Sequence, residues 1–207
     1  MKLAIFGATG SIGTQLVRQA LAAGHHVTAF VRDPARLDVD DPGLRFVTGD
    51  VMTDPEQIRQ AVDGQDAVLI ALGAGARGRI RAEGTRNIIR AMQACGVERL
   101  ICQSTLGAGE SAGNLNFKWR FLFRVPLRLA MADHEAQERH VRESNLQWTI
   151  VRPSAFTDGP ITGAYQRGFS ANERRLDLSI SRADVAQFML WQLKDDSWKQ
   201  QAVSISC

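Results

Sequence analysis

Three glycines recur at three-residue intervals in the stretch IFGATGSIGTQLV (residues 5–17), between an apolar run and a segment with helical periodicity. A dinucleotide pyrophosphate needs a tight turn, a backbone free of Cβ atoms and the N-terminus of a helix. Gly7, Gly10 and Gly13 match these needs in order. The alternative is a turn whose glycines supply only backbone freedom. Because the triplet follows a strand and opens a helix, we interpret it as a phosphate cradle.

Short apolar runs alternate with helical patterns along the rest of the chain. This alternation is typical of crossover units on a parallel sheet. We predict an α/β fold, a Rossmann-type doubly wound parallel sheet in three α/β/α layers. The predicted strands are 2–6, 26–31, 44–47, 66–72, 99–104, 146–153 and 202–206, and the predicted helices are 12–23, 83–95, 133–144 and 181–193, the last capped by Ser181.

Composition indicates a single globular domain spanning 1–207, since 44% of the residues are hydrophobic and 23% are charged. A formal charge of +3 on scattered basic residues does not indicate a nucleic-acid partner. Cys95, Cys102 and Cys207 form no CxxC pair, which favours reduced thiols. With no membrane-length apolar run and no signal-peptide pattern, we expect a cytoplasmic protein that binds no membrane. We also expect no bound metal, and a monomer or weak homodimer.

The end of the second predicted strand, FVRDPARL (residues 30–37), bears on which nucleotide is bound. An acidic residue here would bind the ribose of NAD, whereas arginine accommodates the 2′-phosphate of NADP. Arg32 and Arg36 offer forked donors to that phosphate. Asp33 before Pro34 is typical of an N-cap. We therefore predict NADPH as cofactor, the alternative being that both arginines are only solvated surface.

Later turns are predicted to complete the cofactor site. Asp50 and Val51 follow the third strand and would reach the adenine, and Leu72 and Gly73 close the fourth strand, although both segments fit plain turns too. ARGRIR (residues 76–81) would clamp phosphates or an acidic substrate, or form a solvated loop. The contacts predicted within the cradle are Gly7, Thr9, Gly10, Ser11, Ile12 and Gly13.

Several stretches together resemble the atypical short-chain dehydrogenase/reductases of the NAD(P)-binding NmrA-like set, and within it the flavin reductase and biliverdin reductase group. The matching stretches are IFGATGSIG, VRDPARL, GDV, GQDAVLIALG, EGTRNIIRAMQACGV, DHEAQERHVRES and, most specifically, ITGAY. The loop 106–130 departs from the pattern of this group.

The resemblance implies NADPH held by Arg32 and Arg36. It places Ser104 near the nicotinamide and the substrate, and His134 at a helix position where the group also carries histidine. It also implies a substrate site built from loops 104–130 and 153–170. In the second loop, the residues implied beside the nicotinamide are Pro153, Ser154, Ala155 and Phe156.

The chain lacks the usual acid for carbonyl reduction. Ordinary short-chain dehydrogenases use a Tyr-x-x-x-Lys pair, but the one tyrosine, Tyr165, is followed four residues later by Phe169. A small planar conjugated substrate such as a flavin, quinone or linear tetrapyrrole needs mainly to be stacked on the nicotinamide. Ser104 and His134 are the candidate catalytic residues. The alternative is a purely structural role, in which Ser104 ends a strand and His134 packs within a helix.

The amphipathic segment 117–129 has three interpretations: a substrate lid, a surface for a membrane or a partner, or a helix packed on the domain. For the whole chain we predict a reductase that passes hydride from NADPH to a conjugated acceptor. The main alternative is a redox sensor that binds the dinucleotide without turnover and conveys its occupancy to a partner protein. A sugar-nucleotide epimerase would share the cradle but need the missing catalytic pair.

Overall fold

The computed structural model describes residues 1–73, 79–116, 118–119, 121 and 125–207. Its strands are β1 (Lys2–Phe6), β2 (His26–Val31), β3 (Leu44–Thr48), β4 (Ala67–Ile70), β5 (Arg99–Gln103), β6 (Gln147–Pro153), β7 (Ala155–Thr157), β8 (Gln166–Arg167), β9 (Ser179–Ser181) and β10 (Gln201–Ser206). Its α-helices are α1 (Ser11–Ala22), α2 (Pro55–Val62), α3 (Ile80–Cys95), α4 (Arg128–Arg142) and α5 (Arg182–Trp191), and 3-10 turns cover Pro34–Arg36 and Gly109–Asn114.

The main sheet has the strand order β3-β2-β1-β4-β5-β6-β10-β8. Neighbouring strands are parallel except β10 and β8, which are antiparallel. The order reverses at β1, whose last residue, Phe6, is in register with Phe30 of β2 on one side and Ile70 of β4 on the other. In open parallel sheets, ligands bind at the carboxyl ends of the strands beside such a switch point.

Side chains of β1 alternate between two apolar cores because successive residues of a strand point to opposite faces. Leu3 and Ile5 pack into the core that includes residues of α1 and α5. Ala4 and Phe6 pack into the other core, which includes residues of α2, α3 and α4. Helices therefore cover both faces of the sheet, and the predicted three-layer doubly wound fold is confirmed.

Most element boundaries agree with the sequence prediction, and the predicted Ser181 cap is confirmed, since its hydroxyl accepts a hydrogen bond from the Asp184 amide at 3.0 Å. Three features were not predicted: α2, the short edge strand β8, and a small parallel sheet in which β7 pairs with β9. Among the described residues, no helix combines the length and the apolar character that a membrane crossing requires.

Candidate functional site

A pocket lies at the carboxyl edge of the sheet, at the switch point between β1 and β4. We call it the glycine pocket. It brings together residues from four chain segments that the sequence analysis assigned to cofactor binding. Its described lining is Gly7, Thr9, Gly10, Phe30, Val31, Arg32, Arg36, Gly49, Asp50, Val51, Ala71, Leu72, Gly73 and Ile80.

Close packing of backbone explains two of the three cradle glycines. Gly7 has φ of +82°, and a Cβ there would lie 2.3 Å from the Ala71 carbonyl oxygen. A Cβ on Gly13 would lie 2.0 Å from the Gly7 carbonyl oxygen. Gly10 has an ordinary φ of −78° and lines the pocket, and a Cβ there would make a tight but less severe contact, 3.1 Å from the Gly7 carbonyl oxygen. Backbone freedom alone therefore does not account for Gly10, while it is a sufficient reason at Gly7.

The N-terminus of α1 has the electrostatics of an anion site. Gly10 is the N-cap residue and carries no side chain, and the first turn of α1 has no acidic residue. The free amides of that turn and the positive end of the helix dipole are therefore left for an external anion. Of the other predicted cradle residues, Ser11 is exposed, whereas Ile12 is buried and packs into the core. A phosphate group fits this turn.

Two arginines border the glycine pocket beyond β2. Arg32 and Arg36 both line it and both are exposed. Asp33 lies between them, and its carboxylate accepts a hydrogen bond from the Ala35 amide at 3.1 Å, with Pro34 opening a 3-10 turn. The interpretation of Asp33 as an N-cap is confirmed. Arg32 and Arg36 are in the described lining of the pocket, whereas Asp33 is not.

The turn after β3 is organised by its own carboxylates. The Asp50 carboxylate accepts a hydrogen bond from the Met52 amide at 2.8 Å, and the Asp50 amide donates to the Asp54 carboxylate at 2.7 Å. Val51 is buried against α3, where a Cβ on Gly84 would lie 2.8 Å from the Val51 side chain. Asp50 and Val51 therefore present a rigid turn to the pocket.

A second pocket, which we call the apolar pocket, lies beyond the carboxyl ends of β5 and β6. A hydrogen bond from the Leu106 amide to the Pro153 carbonyl oxygen, at 2.8 Å, joins those two strand ends. The pocket wall is mostly apolar, and it includes three of the residues implied beside the nicotinamide. Its described lining is Thr105, Leu106, Trp119, Ser154, Ala155, Phe156 and Leu178.

Two buried serines next to the apolar pocket have unused hydroxyl groups. Ser104 is fully buried and Ser154 is 6% exposed, and within the described residues neither Oγ atom has a hydrogen-bond partner. Ser154 lines the pocket directly, while Ser104 immediately precedes Thr105 and Leu106, which line it. A buried hydroxyl without a partner is costly. These two groups are therefore suited to a ligand that supplies the missing hydrogen bonds.

His134 lies on α4 at the contact with α3, and the described linings of both pockets do not include it. Its pKa is lowered to about 3, mainly because burial disfavours the imidazolium and secondly because Arg81 repels it. The ring is therefore neutral near pH 7. Its predicted catalytic role stays a prediction, and a neutral ring would act by hydrogen bonding rather than by giving up an imidazolium proton.

The three arginines of ARGRIR have different outcomes. Arg77 lies outside the described residues, and Arg79 is exposed and is not in the described lining of either pocket. Neither a phosphate clamp nor a solvated loop describes Arg81. It is 9% exposed, and its guanidinium lies 3.4 Å from the Asp133 carboxylate. Burial and this ion pair direct Arg81 into the contact between α3 and α4.

The sequence analysis did not identify a charged network around Arg152 at the end of β6. Arg152 is 1% exposed and its guanidinium lies 2.5 Å from Glu138 and 3.0 Å from Glu110. It therefore ties the turn Gly109–Asn114 to β6 and α4. Cys102 is buried, and burial raises its thiol pKa.

Part of the amphipathic segment 117–129 lies outside the described residues, namely 117, 120 and 122–124, which include Arg120 and Arg124. Within the described part, Trp119 lines the apolar pocket, while Phe121, Val125 and Leu129 are more than half exposed. Tyr165, the one tyrosine, packs edge-on against Phe188, and burial raises its pKa.

The profile of the NAD(P)H-binding family matches residues 7–196. The chain belongs to this family.

Three proteins of known name or structure are similar to this chain. The photosystem II assembly factor Ycf39 of Synechocystis is 29% identical over 95% of this chain, which spans 60% of that protein's length. A Veillonella parvula short-chain dehydrogenase/reductase solved with NADP has a TM-score of 0.81 at 21% identity and covers 100% of this chain and 94% of its own. ChuY, an anaerobilin reductase from Escherichia coli O157:H7, has a TM-score of 0.79 at 24% identity, covering 100% of this chain and 97% of its own. At these sequence identities, the two structures show that the fold is shared.

Proposed function

We propose that the protein is an NADPH-dependent reductase whose acceptor is a planar conjugated molecule such as a flavin, a quinone or a linear tetrapyrrole. The observation that carries this proposal is the pairing of two pockets at one edge of the sheet. The glycine pocket ends at β1 and β4, and the apolar pocket ends at β5 and β6. Because these strands are parallel, both pockets open at their carboxyl ends.

The described residues fit the cofactor. The amides of the cradle and the positive end of α1 would hold the pyrophosphate, and Arg32 with Arg36 would hold the 2′-phosphate. Asp50, Val51, Leu72 and Gly73 would enclose the adenosine half. Toward the apolar pocket, the residues proposed to border the nicotinamide are Ser104, Pro153, Ser154, Ala155 and Phe156.

The chain's own residues position the acceptor and exclude water more than they move protons. When bound, NADPH would supply a hydride. The apolar walls formed by Leu106, Phe156 and Leu178 would shield the acceptor ring from water. The unpaired hydroxyls of Ser104 and Ser154 would orient the nicotinamide amide or an acceptor carbonyl by donating hydrogen bonds. A conjugated acceptor delocalises the incoming charge, so its proton can come from solvent.

The test is NADPH oxidation by the purified protein against FMN, riboflavin, biliverdin and simple quinones, followed at the absorbance band of reduced nicotinamide. We expect turnover with at least one of these acceptors and a lower rate in Ser104→Ala. Tight NADPH binding with no oxidation across the panel would contradict the proposal and would favour the redox sensor. Ser197→Ala, at an exposed serine that lines neither pocket in the described residues, is the matched control.

A further inference from the structure

The guanidinium of Arg182, at the start of α5, lies against the aromatic wall of the apolar pocket. Its Cζ atom is 5.7 Å from the centroid of the Phe156 ring. Phe156 belongs to β7 and is held in the small sheet by its pairing with Ile180 of β9. Sequence reasoning assigned no role to Arg182, and the described linings of both pockets do not include it.

The bonding of Arg182 leaves hydrogen-bonding capacity unused. Its Nη1 atom lies 2.7 Å from the Asp158 carboxylate, while its buried Nε atom has no partner within the described residues. The Asp158 side chain is 95% exposed, so its carboxylate is well solvated and is held only weakly in this pair. The Arg182 side chain is 27% exposed. An anionic group could therefore take the place of Asp158 without a buried ion pair being broken.

The nearest other carboxylate on α5 does not compete for Arg182. Asp184 accepts hydrogen bonds from the Thr162 amide and the Gly163 amide, at 2.8 Å and 2.9 Å, and from the Ser181 hydroxyl at 2.8 Å. These donors occupy the Asp184 carboxylate and fix the loop 158–165 on α5. Asp184 is therefore satisfied by its own donors, and the carboxylate paired with Arg182 is that of Asp158.

The apolar pocket is too small to enclose a whole flavin. Its volume is about 180 Å³, whereas pockets that enclose a drug-sized ligand have about 300–1,000 Å³. A planar acceptor would enter with its ring edge and leave a charged substituent at the rim. We propose that Arg182 selects acceptors that carry an anionic substituent, with Asp158 as the exchangeable counter-ion. This inference rests on the proposed function.

The test compares FMN with riboflavin, which differ by one phosphate group, and it measures binding so that turnover is not required. The protein is saturated with NADP⁺, and quenching of flavin fluorescence gives each dissociation constant. For the wild type, we expect the dissociation constant of FMN to be lower than that of riboflavin by on the order of tenfold. This is the expected effect of one charge-assisted hydrogen bond at a partly exposed site. Arg182→Gln removes this preference by weakening FMN alone.

Further variants separate charge from packing. Arg182→Lys keeps most of the preference because the charge remains, and Asp158→Asn strengthens FMN binding because the competing carboxylate is gone. Arg59→Gln is the charge-matched control, since Arg59 is an exposed residue of α2, paired with Glu56, that does not line either pocket in the described residues.

Two results overturn the inference while leaving the reductase proposal intact. The first is a wild type that binds both flavins equally. The second is an Arg182→Gln variant that weakens both flavins by the same factor, which would show that Arg182 only supports Phe156. If neither flavin binds the wild type, the proposal of a flavin-type acceptor fails, and the inference fails with it.

Discussion

Removal of the two guanidinium groups at the glycine pocket should abolish the preference for NADPH over NADH. The perturbation is the double variant Arg32→Gln, Arg36→Gln. NADPH and NADH differ only in the 2′-phosphate, so a pair of residues that binds this phosphate affects one cofactor and not the other. Both side chains line the pocket, and the intervening Asp33 is occupied as a cap.

The expected magnitude follows from the exposure of the two arginines. Because both side chains are exposed, each phosphate contact is worth about 1 kcal/mol, well below the value for a buried charged pair. Loss of both should cost about 2 kcal/mol, or about 30-fold in the dissociation constant of NADPH. The dissociation constant of NADH should stay unchanged, and each single variant should show about half of the free-energy change.

Titration calorimetry with each cofactor measures these constants directly. Arg59→Gln removes the same charge from α2 and controls for the general electrostatic field. A double variant that binds NADPH as tightly as the wild type would refute the placement of the 2′-phosphate. Equal weakening of NADPH and NADH would refute it too, since a general loss of affinity would indicate a damaged cradle.

Three other changes test the packing around the site. In urea unfolding, Gly7→Ala should destabilise the fold by about 3 kcal/mol, because φ is +82° and the Cβ would lie 2.3 Å from a carbonyl oxygen. Gly24→Ala is the control, since φ is +78° there but the space around it is open, and it should cost only about 1 kcal/mol. Glu138→Gln should cost about 3 kcal/mol in the same measurement because it leaves the Arg152 guanidinium under-compensated in the interior; a change below 1 kcal/mol would contradict this. The hydrogen bond from Arg152 lowers the pKa of Glu110 from 4.5 to about 2, so its carboxylate stabilises the fold above pH 4.5 and this contribution is lost as the pH falls toward 2. The stability difference between wild type and Glu110→Gln should therefore be full at pH 7 and vanish near pH 2, and a constant difference across this range would argue against the pair.

The fold was predictable because its local signals agree with one another. The cradle glycines, the continuous apolar run of β1 and the Asp33 and Ser181 caps are all encoded within a few residues. α2 was missed because it has eight residues, of which only Ile58, Ala61 and Val62 are buried. The pair β7 and β9 was missed because three-residue strands joined over long range leave no local pattern.

The glycine pocket was more predictable than the apolar pocket. Its glycines and arginines stand in short stretches at fixed spacing, so Gly7, Gly10, Arg32 and Arg36 could be proposed together. The apolar pocket instead joins Leu106, Phe156 and Leu178, which are distant in sequence. The pairing of Arg182 with Asp158 is equally non-local. No periodicity or motif specifies such contacts.

The measurement that tests the central claim most directly is an anaerobic single turnover, in which the NADPH complex is mixed with FMN in a stopped-flow instrument. Absence of oxygen makes the flavin the only electron acceptor. The account predicts that the absorbance of reduced nicotinamide and that of oxidised flavin fall together, in equal molar amounts. Persistence of both absorbances with FMN, and of the reduced nicotinamide absorbance in parallel mixes with riboflavin, biliverdin and the quinones, would contradict it. That result would indicate a protein that binds the dinucleotide without using its hydride.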